Sequence, residues 1–161
     1  MNAMKKVLFA LVLAMPILTA CKKEEAKSEA AAPVVAAAPT TDDDNAWATY
    51  IQSVVQANME GVEGSPFVYY LPAEADAGMK ERLLVEAQNA VARGVIPGNM
   101  LVFASPKSKD MAGMAVNALG FAEAGAMKGS QVMFIGKAGD DAAVKAAADK
   151  AGARFKFVEV K

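Results

Sequence analysis

The sequence predicts an α/β domain: a small open, mostly parallel four-stranded sheet with helices on both faces, preceded by an N-terminal amphipathic helix. Three observations carry this. Four runs of strand character occur in order, at Phe67–Leu71, Met100–Ala104, Gln131–Ile135 and Arg154–Val160. Helix-compatible stretches separate them, at about 74–93, 108–124 and 139–151. The first three runs are almost wholly apolar, which suits strands covered on both faces rather than the one-sided strands of an antiparallel sheet. Strand–helix–strand order with right-handed crossovers then gives the layered arrangement.

The elements follow in turn. Trp47, Tyr50, Ile51, Val54 and Val55 recur at helical spacing, giving a helix over about 45–60 that Gly61 and Gly64 close. The acidic run Asp42-Asp43-Asp44 invites a calcium site, but negative charge before a helix N-terminus explains it better, with Asp44 or Asn45 as N-cap. Gly94, Gly125 and Gly152 stand where the later helices should end, and Ser108 and Asp140 are plausible N-caps. Arg154-Phe155-Lys156-Phe157 alternates as an edge strand would. Two strand–helix units share a pattern: Gly98-Asn-Met-Leu-Val-Phe and Gly129-Ser-Gln-Val-Met-Phe open them, and Ala124-Gly125-Ala126 and Ala151-Gly152-Ala153 close them. Two units fall short of a repeat array, so a shared turn solution explains the match better than duplication does.

Charge is distributed unevenly along the 161 residues, which carry 17 Lys+Arg against 18 Asp+Glu. Residues 1–20 hold two Lys and no acid, residues 21–44 three Lys and six acids, and residues 45–161 twelve of each sign. With no basic surplus in the C-terminal part, a nucleic-acid partner is not expected. The chain has no His and one Cys, which removes the commonest general base and zinc ligand and rules out an internal disulfide. Neither a metal nor a cofactor is expected.

The N-terminus has the form of a secretion signal. Lys5 and Lys6 precede an apolar run, Val7 to Leu18, broken only by Pro16, and small residues follow immediately before the cysteine. The run, about 12 residues, is too short for a permanent span of roughly 30 Å of hydrocarbon. Leu18-Thr19-Ala20-Cys21 resembles the lipobox of bacterial lipoproteins. The resemblance covers residues 1–21 only, and the folded part carries no family signature. It implies that residues 1–20 are a cleaved signal peptide and that Cys21 is the lipid attachment site. There it would carry a diacylglycerol thioether and a fatty acid, such as palmitate, on its amino group. Lys22, where an acidic residue would hold such proteins back, implies transfer to the outer membrane, facing the periplasm. Several acyl chains, at about 0.8 kcal/mol per buried CH₂, would hold the protein durably on that surface.

Residues 21–44 comprise the lipidated Cys and an Ala/Pro/charged segment expected to be a disordered tether, since Pro33 and Pro39 interrupt any long helix. Its flexible reach is of order 25 Å. Residues 45–161 form the single α/β domain, close to the commonest domain size.

Candidate chemistry concentrates in the loops after the strands, where open α/β sheets usually hold ligands. Ser105, Lys107, Ser108 and Lys109, with Lys137 from the next such loop, compose a candidate anion site at a helix N-terminus. Against it, Ser108 explains itself as a cap and the lysines as solubilising charge. Gly136-Lys-Ala-Gly139 lacks the spacing of a phosphate-binding loop. Ser105 has no Gly-x-Ser-x-Gly surround and no His to deprotonate it, which leaves only a Ser–Lys pair with Lys107 or Lys109. The ten methionines, including Met100, Met111, Met114, Met127 and Met133, suggest Cu(I) to a thioether reading but fit core filling by their helical and strand spacing. Trp47, Tyr50, Tyr69 and Tyr70 fit burial at least as well as a binding surface.

The expected function is therefore a non-catalytic binding or envelope-assembly role, with an envelope protein as partner. The alternative is an enzyme or binding protein for a small anionic ligand, using the strand-end lysines with Glu74 or Asp110. A closed concave site at the strand-end loops favours the alternative; a flat apolar patch favours a protein partner.

Overall fold

A computed structural model describes residues 35–161. The signal segment, Cys21 and most of the expected tether lie outside those residues. Four helices and four strands follow in the order α1 (Asp44–Ala57), β1 (Phe67–Tyr70), α2 (Ala77–Ala92), β2 (Met100–Ala104), α3 (Ser108–Leu119), β3 (Gln131–Gly136), α4 (Asp141–Ala151) and β4 (Arg154–Glu159). The expected fold class is the observed one. The four strands lie in the order β1-β2-β3-β4, and every pairing is parallel.

That order determines where the helices go. Each right-handed crossover moves one strand along in the same direction, so α2, α3 and α4 all land on one face. Leu101 and Phe103 of β2 and Val132 and Phe134 of β3 point to that side, where they meet Val91, Met111, Ala115, Val144 and Ala148. The alternate residues Met100, Val102, Ala104, Met133 and Ile135 point the other way. They would face water but for α1, whose Trp47, Tyr50, Ile51, Val54 and Val55 cover them. Ala36 and Ala38, in the segment expected to be tether, pack against this second face as well, and the N–H of Ala36 donates to Ser53 Oγ at 2.9 Å. The five methionines singled out above are all buried, as core filling requires.

Local details depart from expectation where side chains found other partners. The N-cap of α1 is Asp43, which accepts from Ala46 N at 2.7 Å, and not Asp44 or Asn45. Asp44 instead accepts the Tyr70 hydroxyl at 2.8 Å, which ties the helix to β1. Ser108 is the first residue of α3 rather than its cap, and Lys107 in the cap position makes no side-chain cap bond. Asp140 occupies the cap position of α4 but likewise makes no side-chain bond there. Helix α3 stops at Leu119, short of residue 124, so Gly125 does not end it.

Gly125 has a different task. A Cβ on Gly152, which closes α4 at φ +85°, would stand 2.8 Å from the Gly125 Cα. The two Ala-Gly-Ala segments therefore face each other, joined by Gly125 N–H to Lys150 O at 3.1 Å and Met127 N–H to Ala151 O at 2.8 Å. The two similar openings also touch, Gly98 N–H donating to Gly129 O at 2.9 Å, because β2 and β3 are neighbours in matching register. The shared pattern is a shared turn used side by side.

Expectation also fails for the first strand. Strand β1 is the second edge of the sheet, and only Tyr69 within it is buried.

Candidate functional site

The carboxyl ends of β2, β3 and β4 open into a cleft of about 360 Å³ between the strand-end loops and the segment that leads into α1. Thr40, Thr41, Asp42 and Trp47 form one wall, and Ser105, Ser108, Gly136 and Lys137 form the other. Trp47 Nε1 donates to Thr41 O at 3.0 Å and holds the first wall in place. Beside it lies a shallower depression of about 280 Å³, lined by Lys107, Ser108, Lys109, Asp110, Lys137 and Asp140.

All five residues of the expected anion site thus gather at this corner, as adjacency of β2 and β3 requires, but both hydroxyls and the Lys107 ammonium are already engaged. Ser105 is 1% exposed, its hydroxyl donating to Leu71 O at 2.7 Å and accepting from Lys107 N at 2.9 Å. Ser108 Oγ accepts from Lys137 N at 2.8 Å and so stitches the β3 loop to α3. Gly136 allows this approach, since a Cβ there would meet Ser108 Oγ at 2.5 Å and the Phe134 ring at 2.7 Å. Lys107 Nζ lies 3.4 Å from the Asp42 carboxylate, and Asp110 pairs with Lys80 at 2.8 Å. The Ser105 proton is directed to a carbonyl and Lys107 is exposed, so no Ser–Lys pair forms. What remains is an uncapped helix N-terminus ringed by Lys107, Lys109 and Lys137, a weak anion-attracting field at a solvated surface. The monotonic strand order adds no crevice of its own, because such crevices arise where successive connections run to opposite faces. Among the described residues no group of acidic or Cys side chains is placed to hold a metal ion, and no helix is long and apolar enough to cross a membrane.

Another concave surface lies at the β1 edge. Helix α1 sits over β2 and β3 and leaves an apolar groove of about 480 Å³ along β1. Ile51, Val55 and Met59 supply one wall and Pro66, Val68 and Tyr70 the other, with Gln52 and Gln56 as the polar groups on its rim. No charged residue lines it. Val68 is 46% exposed in this groove, and Phe67, 47% exposed, faces the other side of β1 in a separate depression with Ala90 and Arg93. Tyr70 is stacked against Trp47 with ring centres 6.3 Å apart. Burial first, and then the hydrogen bond to Asp44 and the charges of Asp42 and Asp43, push its hydroxyl well above the ordinary tyrosine range.

Sequence reasoning misses this surface because an apolar run reads as a strand with two covered faces. A signal is present: Pro66 and Pro72 bracket the run, and proline belongs at sheet edges. Comparison with protein families, with curated proteins and with solved structures found no match for this chain.

Proposed function

We propose that this chain is a lipid-anchored, non-catalytic binding protein of the bacterial envelope, attached through Cys21 to the outer membrane on its periplasmic side, and that it engages a protein partner through the β1 flank. The observation that carries the binding role is the uncharged groove between α1 and β1, whose β1 wall includes the exposed Val68. Surface apolar patches rimmed by polar groups mark interaction sites in soluble domains. The internal engagement of Ser105 and Ser108 and the absence of His from the chain favour binding over catalysis. The lipobox-like segment supports the anchor. Globomycin, or Cys21→Ser, should leave the unprocessed precursor in the cell; mature protein of normal size under either condition refutes the anchor.

A small anionic ligand at the strand-end corner is the second reading, favoured by Lys107, Lys109 and Lys137 around the uncapped N-terminus of α3. Inorganic phosphate or sulfate should then raise the melting temperature of the parent chain but not of Lys107→Ala/Lys109→Ala; an equal response of both chains rejects the site.

A further inference from the structure

We infer that the partner at the β1 flank is a second copy of this chain: two β1 strands pair antiparallel about a two-fold axis at Tyr69, joining two four-stranded sheets into one. The inference rests on the reading of that flank as the binding surface. Its first support is the direction of the backbone groups. Leu71 N–H donates to Ala104 O of β2 at 3.1 Å. Because these groups alternate along a strand, Tyr69 also faces β2, while Val68 and Tyr70 present N–H and C=O outward. The next outward positions are Pro66 and Pro72, which have no N–H to offer.

A two-fold axis at Tyr69 sets Val68 of each copy against Tyr70 of the other. Every outward donor of β1 then meets a carbonyl, and the prolines meet each other where no donor goes unpaired. A slip of two residues sets Val68 or Tyr70 against a proline that cannot return the bond. The placement of the two prolines therefore selects one register, and that register is self-complementary.

Side chains agree with it. On the α1 side, Val68 lies beside Tyr70 of the other copy, a β-branched and aromatic cross-strand pair. On the opposite side, Phe67 lies beside Leu71 of the other copy. Helix α2 lies on this same side of the sheet, its Ala87 and Val91 sharing a cluster with Tyr69 and Leu71. The charges that α2 exposes at Glu81, Arg82, Glu86 and Arg93 balance, so they set up no net repulsion between two copies. Two chains lipidated in one membrane also meet at raised effective concentration.

The test uses the full-length lipidated chain in its own membranes, with bis(maleimido)ethane as cross-linker. Lipid occupies the Cys21 thiol, so Val68→Cys introduces the reactive one. In the inferred register the two Val68 positions are diagonal cross-strand neighbours, about 8 Å apart, within reach of that reagent. Tyr70→Cys reports the other diagonal and keeps the test open if one variant folds poorly. Lys156→Cys on the opposite edge is the control. Cross-linked product at twice the chain mass from Val68→Cys or Tyr70→Cys, at least tenfold above Lys156→Cys, is expected. Absence of that product from both, a product with a different protein, or equal yield from Lys156→Cys overturns the inference. Maleimide labelling of the parent chain marks failure of the anchor alone, and the cross-linking is then read in a Cys21→Ser background.

Discussion

The two edges of the sheet are built to opposite specifications. At β4, Arg154, Lys156 and Glu159 are exposed and alternate with half-buried Phe155, Phe157 and Val158. Arg154 is further tied down, its guanidinium donating to Gly61 O at 3.0 Å. Charged side chains of this kind discourage a foreign strand from adding to an edge. Strand β1 carries no charge at all and exposes Phe67 and Val68. Its protection comes from shortness and from the flanking prolines, which restrict pairing rather than forbid it. Both edges hold to the centre in the same way, through stacked aromatics: Tyr69 on Phe103 at 5.2 Å and Phe134 on Phe157 at 6.1 Å. The difference therefore lies in what each edge presents outward, and it teaches that an edge can be secured to its own sheet while remaining open to another.

The largest effect should come from removing the shared anchors. Phe103→Ala and Phe134→Ala each delete a fully buried ring, and each should cost about 3–5 kcal/mol in urea unfolding. A markedly smaller loss for Phe103 would mean that β1 is only loosely held. Next is the turn that starts β4. Gly152→Ala combines a left-handed backbone with a Cβ set against the Gly125 backbone and should cost roughly 1–3 kcal/mol in the same measurement. Gly94→Ala, at φ +88° with open space around it, should lose less.

Tyr70 makes the β1 side sensitive to alkali. Its folded-state pKa lies above the ordinary value of 10, so between that value and the folded one the native chain holds a proton that the unfolded chain has released. Stability from this group is thus complete below about pH 10 and falls as pH rises. Tyr70→Phe should flatten the alkaline limb of a melting-temperature profile; an unchanged slope would remove Tyr70 as its source. The smallest change in stability is expected at β4 itself. Lys156→Val should alter the unfolding free energy by no more than about 0.5 kcal/mol. It should nevertheless increase association in sedimentation velocity, because it gives the charged edge some of the apolar character of β1.

Much of this architecture is legible in the order of residues along the chain. Met100–Ala104 has the expected bounds, and the other strands differ by a residue at one end. The apolar period and the turn glycines that define these elements are local properties. The candidate corner is legible in location, since strand-end loops must cluster, but not in chemistry. Whether a serine hydroxyl is free depends on which carbonyl or N–H lies across from it, and the partners of Ser105 and Ser108 come from residues 34 and 29 positions away.

By itself the sequence determined four strands alternating with helices, an amphipathic helix ahead of them, methionines in the core and a terminal strand that alternates in the manner of an edge. These follow from side-chain periodicity and turn residues, which act over a few neighbours. Only the tertiary structure decided the order β1-β2-β3-β4, the cover of one face by α1 and the segment that leads into it, the meeting of Gly125 with Gly152 and the exposure of β1. These depend on which distant segments bury area together. A run such as Phe-Val-Tyr-Tyr is equally compatible with the centre of a sheet and with its rim until its neighbours are placed.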